Sequence, residues 1–154
     1  MPKFGDGTVA AKVAMFQDRL EKAAVYMLKY IGEDLARFAK DNHTYTDQTG
    51  NLTNSIGYAV VRQGQMVCYG GEIQPGEGAA EGLKVAMKMA AKLNSSFSLI
   101  IVAGMNYAAY VESKGYNVIL PAQLKAMKEF PSYMDRLKEK ARGKANELFG
   151  NLNI

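Results

Sequence analysis

The chain has 154 residues, 48% of them hydrophobic, with 19 basic against 15 acidic residues and a formal net charge of +4. That length fits a single domain, 1–154, and that composition can bury a real core, which excludes a disordered or collagen-like chain. The positive charge is too mild to argue for nucleic acid by itself, and a single cysteine, Cys68, excludes an intrachain disulfide and suits a reducing compartment.

Near the N-terminus no apolar stretch is long enough for a signal peptide, and the longest apolar run, Leu99 to Ala103, is far too short to span a bilayer. Val9, Val13, Phe16, Leu20, Ala24, Met27, Ile31, Leu35 and Phe38 recur at helical steps, which predicts one long helix from an N-cap at Thr8 to about Lys40. At about 1.5 Å per residue it would be roughly 50 Å long, so part of it is expected to pack on something outside the domain. After Asp41-Asn42 and a loop, Thr49 is expected to cap a single turn, Gly50 to Asn54. Ile56–Arg62 and Met66–Gly70 read as strands joined by a hairpin turn at Gln63-Gly64-Gln65. Gly70 to Gly82 reads as a mobile glycine-rich loop, and helical spacing returns at Leu83, Ala86, Met87, Ala90 and Leu93. Phe97 to Ala103, "FSLIIVA", is nearly all apolar and predicts a central strand. A short helix over Met105–Ser113 and a last short strand over Tyr116–Leu120 follow. Pro121 suits the first turn of a final helix whose stripe is Leu124, Met127, Phe130, Met134, Leu137, Ala141, Ala145 and Leu148. Pro131 is expected to kink or divide it.

None of the residues with reactive side chains forms a catalytic pattern. His43 lies in a loop without partners and reads as a surface residue; Cys68 reads as a small buried strand residue. Gly76, Gly78 and Gly82 give G-x-G-x-x-x-G, one residue longer than a dinucleotide loop, and Glu72, Glu77 and Glu81 would set negative charge where phosphate sits. Gly143-Lys144-Ala145 lacks the hydroxyl that ends a phosphate loop. Thr49-Gly50-Asn51-Leu52 lacks a lysine and reads as a joint: Asp47 and Thr49 supply acceptors for free N–H groups, Gly50 allows a tight turn, and Leu52 and Ile56 point into the core. No metal or cofactor is implied. In the helix at Met105–Ser113, Tyr107, Tyr110 and Val111 share one face and Ala108 and Glu112 the neighbouring one, for core packing or for a subunit contact. The last helix mixes Lys125, Lys128, Arg136, Lys138, Lys140, Arg142 and Lys144 with Glu129, Asp135, Glu139 and Glu147 at i, i+3 spacings, the pattern of a solvated face or of one that tracks phosphates.

Two stretches carry a family resemblance. "TGNLTNSI" (Thr49, Gly50, Leu52, Ser55, Ile56) resembles the threonine-glycine-x-leucine-x-x-serine-isoleucine signature of the neck or tail-completion proteins of long-tailed bacteriophages. "NYAAYVES" (Tyr107, Ala108, Tyr110, Val111, Glu112) resembles that family's tyrosine-alanine-x-tyrosine-valine-glutamate signature. The order of elements is similar over most of the chain. The sequence departs at Ser113-Lys114-Gly115-Tyr116, where the family has phenylalanine-glycine-threonine, and at Pro121-Ala122-Gln123, where it has a proline-phenylalanine-leucine-arginine run.

The resemblance implies a non-enzymatic virion protein of the neck, joining head to tail. It would work as a homo-oligomeric ring around the DNA channel, in contact with other neck and tail proteins, near DNA, and without a membrane. The expected architecture is α+β: a long N-terminal helix, a small mostly antiparallel sheet, helices packed on one face and a C-terminal helix. On the long stripe, Val13, Phe16 and Leu20 are expected to face a neighbouring subunit, and Ile31, Leu35 and Phe38 the chain's own sheet. The alternative is a small basic nucleic-acid-binding protein that uses the last helix.

Overall fold

The structure is a computed structural model that describes residues 3–71 and 73–149, with the side chains of 9–71 and 73–147. Its elements are α1 (Lys3–Asp41), α2 (Asn51–Asn54), β1 (Ile56–Arg62), β2 (Gln65–Gly70), α3 (Glu77–Ala90), β3 (Ser98–Ala103), α4 (Ala108–Ser113) and α5 (Leu120–Phe149). The long N-terminal helix, the antiparallel sheet and the C-terminal helix make the α+β arrangement read from the sequence. The chain forms two compact units, Leu28–Lys128, and Met1–Met27 with Glu129–Ile154.

In the Leu28–Lys128 unit the strand order is β2-β1-β3, every pairing antiparallel. The central strand is therefore β1, and β3, expected at the centre, lies at an edge. The reason lies in side-chain size. Ile56 to Val61 are all buried, because small Gly57 and Ala59 alternate with large Ile56, Tyr58 and Val60, and both faces are covered. Ala59 and Val61 join Ile100, Val102, Ala86 and Ala90 in one core, so α3 lies over that face. On the opposite face Tyr58 meets α1: a Cβ on Gly32 would sit 2.4 Å from its ring, and its hydroxyl donates to Glu33 Oε1 at 3.0 Å. The helices thus take both faces of the sheet, where one was expected. Ile31 and Leu35 are buried, and Phe38 is half-buried under the Lys125 ammonium, 4.6 Å from its ring centroid.

The hairpin turns on Gln63 (φ 49°) and Gly64 (φ 81°), both left-handed, which matches the twist of the flanking strands. Gln65, expected in the turn, already pairs with Arg62.

Other boundaries move for physical reasons. α1 starts at Lys3, so Thr8 lies inside it and does not cap it. The supposed loop becomes helix at Glu77; Glu72 lies outside the described residues. The buried side of α3 is Gly78, Gly82, Ala86 and Ala90, while Leu83 and Met87, expected on the inner stripe, are exposed. Its glycines permit close packing: a Cβ on Gly78 would lie 2.2 Å from the Asn51 carbonyl oxygen, and one on Gly82 2.6 Å from that of Ser55. Tyr116–Leu120 is not a strand. α5 begins at Leu120 and continues through Pro131 undivided, although the Met127 carbonyl loses its helical donor there. The boundary between the two units falls close by, between Lys128 and Glu129. The side chain of Leu148 lies outside the described residues.

Candidate functional site

Ile56 pairs with Ala103, so the start of β1 and the end of β3 share one end of the sheet. The two motif-bearing stretches, which flank those strand ends, therefore stand at the same end. A main-chain bond from Gly104 N–H to the Ser55 carbonyl, 3.1 Å, extends the ladder between them.

Within the first stretch the side chains serve the backbone. Asp47 Oδ2 accepts from Thr53 N–H at 2.8 Å, Thr49 Oγ1 from Asn51 N–H at 3.3 Å, and Ser55 Oγ donates to the Leu52 carbonyl at 2.7 Å. Thr49 was expected as the N-cap of α2; that position belongs to Gly50, whose φ of 78° turns the chain into the helix. Leu52, Ser55 and Ile56 are fully buried. With only four residues, α2 offers no useful dipole to a phosphate.

In the second stretch Ala108 is buried and Val111 half-buried, whereas Tyr107 and Tyr110 are exposed. Glu112 reaches forward. Its carboxylate accepts from the N–H groups of Val118 (2.8 Å), Ile119 (2.9 Å) and Leu120 (2.8 Å), three donors that the start of α5 would otherwise leave open. Nothing in the helical spacing announces this role; the available signal is a carboxylate a few residues ahead of a proline-led helix. Nearby, Asn117 N–H donates to Thr44 Oγ1 at 2.8 Å, tying the loop after α1 to the segment before α5.

Tyr45 lies under this joint, its hydroxyl 3.0 Å from Thr53 Oγ1. Burial pushes its pKa up; the Thr53 hydrogen bond opposes that, and Asp47, Tyr107 and Glu112 add to it. His43 is exposed, its ring 4.7 Å from that of Tyr45, a loop residue as read from the sequence. Cys68 is half-buried on β2, opposite Val60.

Exposed apolar side chains follow the second stretch along the chain. Tyr107, Tyr110 and Tyr116 are exposed, and Leu120, Leu124 and Met127 form an exposed stripe at i, i+4 and i+7 of α5, Met127 at 69%. A groove of about 510 Å³ runs between α4 and the start of α5, lined by Ala103, Ala108, Glu112, Val118, Leu120 and Gln123 among others.

The other expected contact residues lie in the second unit. Val13 is exposed; Phe16 and Leu20 are half-buried and line a groove of about 340 Å³ with Leu137 and Ala141 of α5, edged by Arg19, Lys140 and Lys144. On α5 Lys144 pairs with Glu147 at i, i+3 and 3.2 Å, and Lys125 pairs with Asp34 of α1 at 2.8 Å.

Among the described residues no group of three or more His, Cys, Asp or Glu could hold a metal ion, and no helix is long and apolar enough to cross a membrane. No protein-family model, curated protein or solved structure matches the chain.

Proposed function

We propose that the chain is a structural virion protein of a phage neck, joining head to tail as a ring of copies around the DNA channel. The single observation that carries this reading is a division of labour between the motif-bearing stretches and the start of α5. Asp47 and the motif groups Thr49, Ser55 and Glu112 are engaged within the chain, while Tyr110 on α4 and Leu120, Leu124 and Met127 on the first turns of α5 are exposed. Such a surface suits docking to protein, since exposed aromatic and apolar side chains in one region mark interaction sites.

The test is complementation of a phage that lacks the gene, with the double variant Leu124→Glu/Met127→Glu. Its circular dichroism and melting temperature should match the parent, because both side chains are exposed, yet heads and tails should remain unjoined in electron micrographs. Infectious particles from that variant would overturn the reading. A second reading, a small basic nucleic-acid-binding protein, is favoured by Arg19, Lys140 and Lys144 lining one groove. It requires DNA affinity that falls steeply with salt, roughly one counterion released per phosphate contacted.

A further inference from the structure

The hydrogen-bond parity of the sheet identifies an open edge. Ser55 and Gly104 are joined by a main-chain bond one step beyond the Ile56–Ala103 pair, and an antiparallel ladder alternates bonded and non-bonded pairs. Ser98, Ile100 and Val102 therefore aim their main-chain groups at β1. Leu99, Ile101 and Ala103 aim N–H and C=O away from it. The other side of β1 agrees, since the two-residue hairpin closes on Arg62 and Gln65, which leaves the even-numbered residues of β1 to face β2. Among the described residues, no hydrogen bond is made to the outward groups of Leu99, Ile101 or Ala103.

The two sheet edges are not alike. The β2 register shifts between Val60 and Val61, and Lys40 donates to the Gly71 carbonyl just past its end. A bulge and a charged side chain both discourage pairing with another chain. The β3 ladder is unbroken from Ala103 to Ser98, and "SLIIVA" contains no charge and no proline.

We propose that the β3 edge pairs with the β3 edge of a second copy, antiparallel about Ile101, joining two three-stranded sheets into one of six strands. The occupant is argued from the strand itself. Pairing about Ile101 sets Ile101 opposite Ile101 and Leu99 opposite Ala103, large against small, on the face shared with Tyr58. On the face over α3 it sets Ile100 opposite Val102. Each outward N–H then meets an outward C=O, and no charge is brought opposite a like charge. The contact is isologous. It does not rest on the neck reading and is separate from the head-to-tail contacts of a ring.

The experiment is sedimentation across a concentration series of the full chain and of two variants, Ala103→Pro and Leu99→Lys. Proline at 103 removes an outward N–H and leaves the β1 ladder intact, and lysine is the usual guard of an edge. The parent should form a dimer, and each variant should be monomeric with unchanged circular dichroism. A parent that stays monomeric, or a dimer or ring that survives both variants, overturns the proposal; in the latter case the neck reading stands. Should the variants fail to fold, amide exchange on the parent decides. The Leu99, Ile101 and Ala103 amides should exchange at least about tenfold faster after dilution to monomer, with Ile100 and Val102 unchanged. Equal exchange at all concentrations overturns it.

Discussion

At the scale of single residues, Glu112 holds the most consequential contact of the motif-bearing end, for one carboxylate closes three backbone donors. Glu112→Ala would leave them partly unsatisfied and should lower stability by roughly 2–4 kcal/mol, since a hydrogen bond to a charged group contributes about 1.5–3 kcal/mol. Chemical denaturation measures it, and an unchanged midpoint would refute it. This role was not legible in advance, because helical periodicity records which way a side chain faces and not a reach of six to eight residues to another element's backbone. The joint at Asp47 and Thr49 was legible, because Asp and Thr just ahead of a glycine-led turn are the usual acceptors for its free N–H groups. The tyrosines give a pH prediction. Burial raises the pKa of Tyr45 and pushes that of Tyr69 up to about 12, and burial with the Glu33 hydrogen bond raises Tyr58 further. A raised tyrosine contributes stability that is complete below its unfolded pKa of about 10 and is lost as pH climbs through the folded value. The melting temperature should therefore hold through neutral pH and fall above about pH 10. Absorbance at alkaline pH should show Tyr45, Tyr58 and Tyr69 ionising late, above the ordinary tyrosine range.

At the scale of elements, the bounds of β1 were read correctly, since an apolar, β-rich run ended by a turn signal is a local pattern. The burial of α3 was not. Leu83 and Met87 dominate an apolar count, but the Asn51 and Ser55 carbonyls leave room only for glycine at 78 and 82, and the rest of the buried side is alanine, Ala86 and Ala90. Likewise β3 looked central because it is all apolar, whereas the true centre contains Gly57 and Ala59 so that neighbours can come close. Proximity outranked hydrophobicity in both cases. Gly82→Ala should thus destabilise by about 1–3 kcal/mol through overpacking, despite a gain near 1 kcal/mol in helix propensity. Gly143→Ala, with nothing near its added Cβ, should stabilise by up to about 1 kcal/mol. Thermal melts of the two variants should move in opposite directions; shifts of the same sign would contradict the packing account.

At the scale of the whole molecule, the apolar stripe of α1 has an exposed beginning, Val9 and Val13, and a buried end at Ile31 and Leu35. Phe16 and Leu20 fall between, half-buried beside Leu137 and Ala141. Val13→Glu should leave the melting temperature within error, while Leu20→Glu should lower it by several degrees, as burial of an unpaired charge does. Equal effects would show that the groove contributes nothing to stability. The order of the strands also sets a timetable. β1 and β2 are chain neighbours and can zip within microseconds, but β3 pairs with β1 only after α3 has been crossed. Closing that longer loop is the slow event, and while it is pending the strand destined for deepest burial is itself a bare edge. Susceptibility to aggregation is then a property of the nascent chain more than of the finished fold. Refolding yield should drop as protein concentration rises, whereas the native protein stays in solution at the same concentrations.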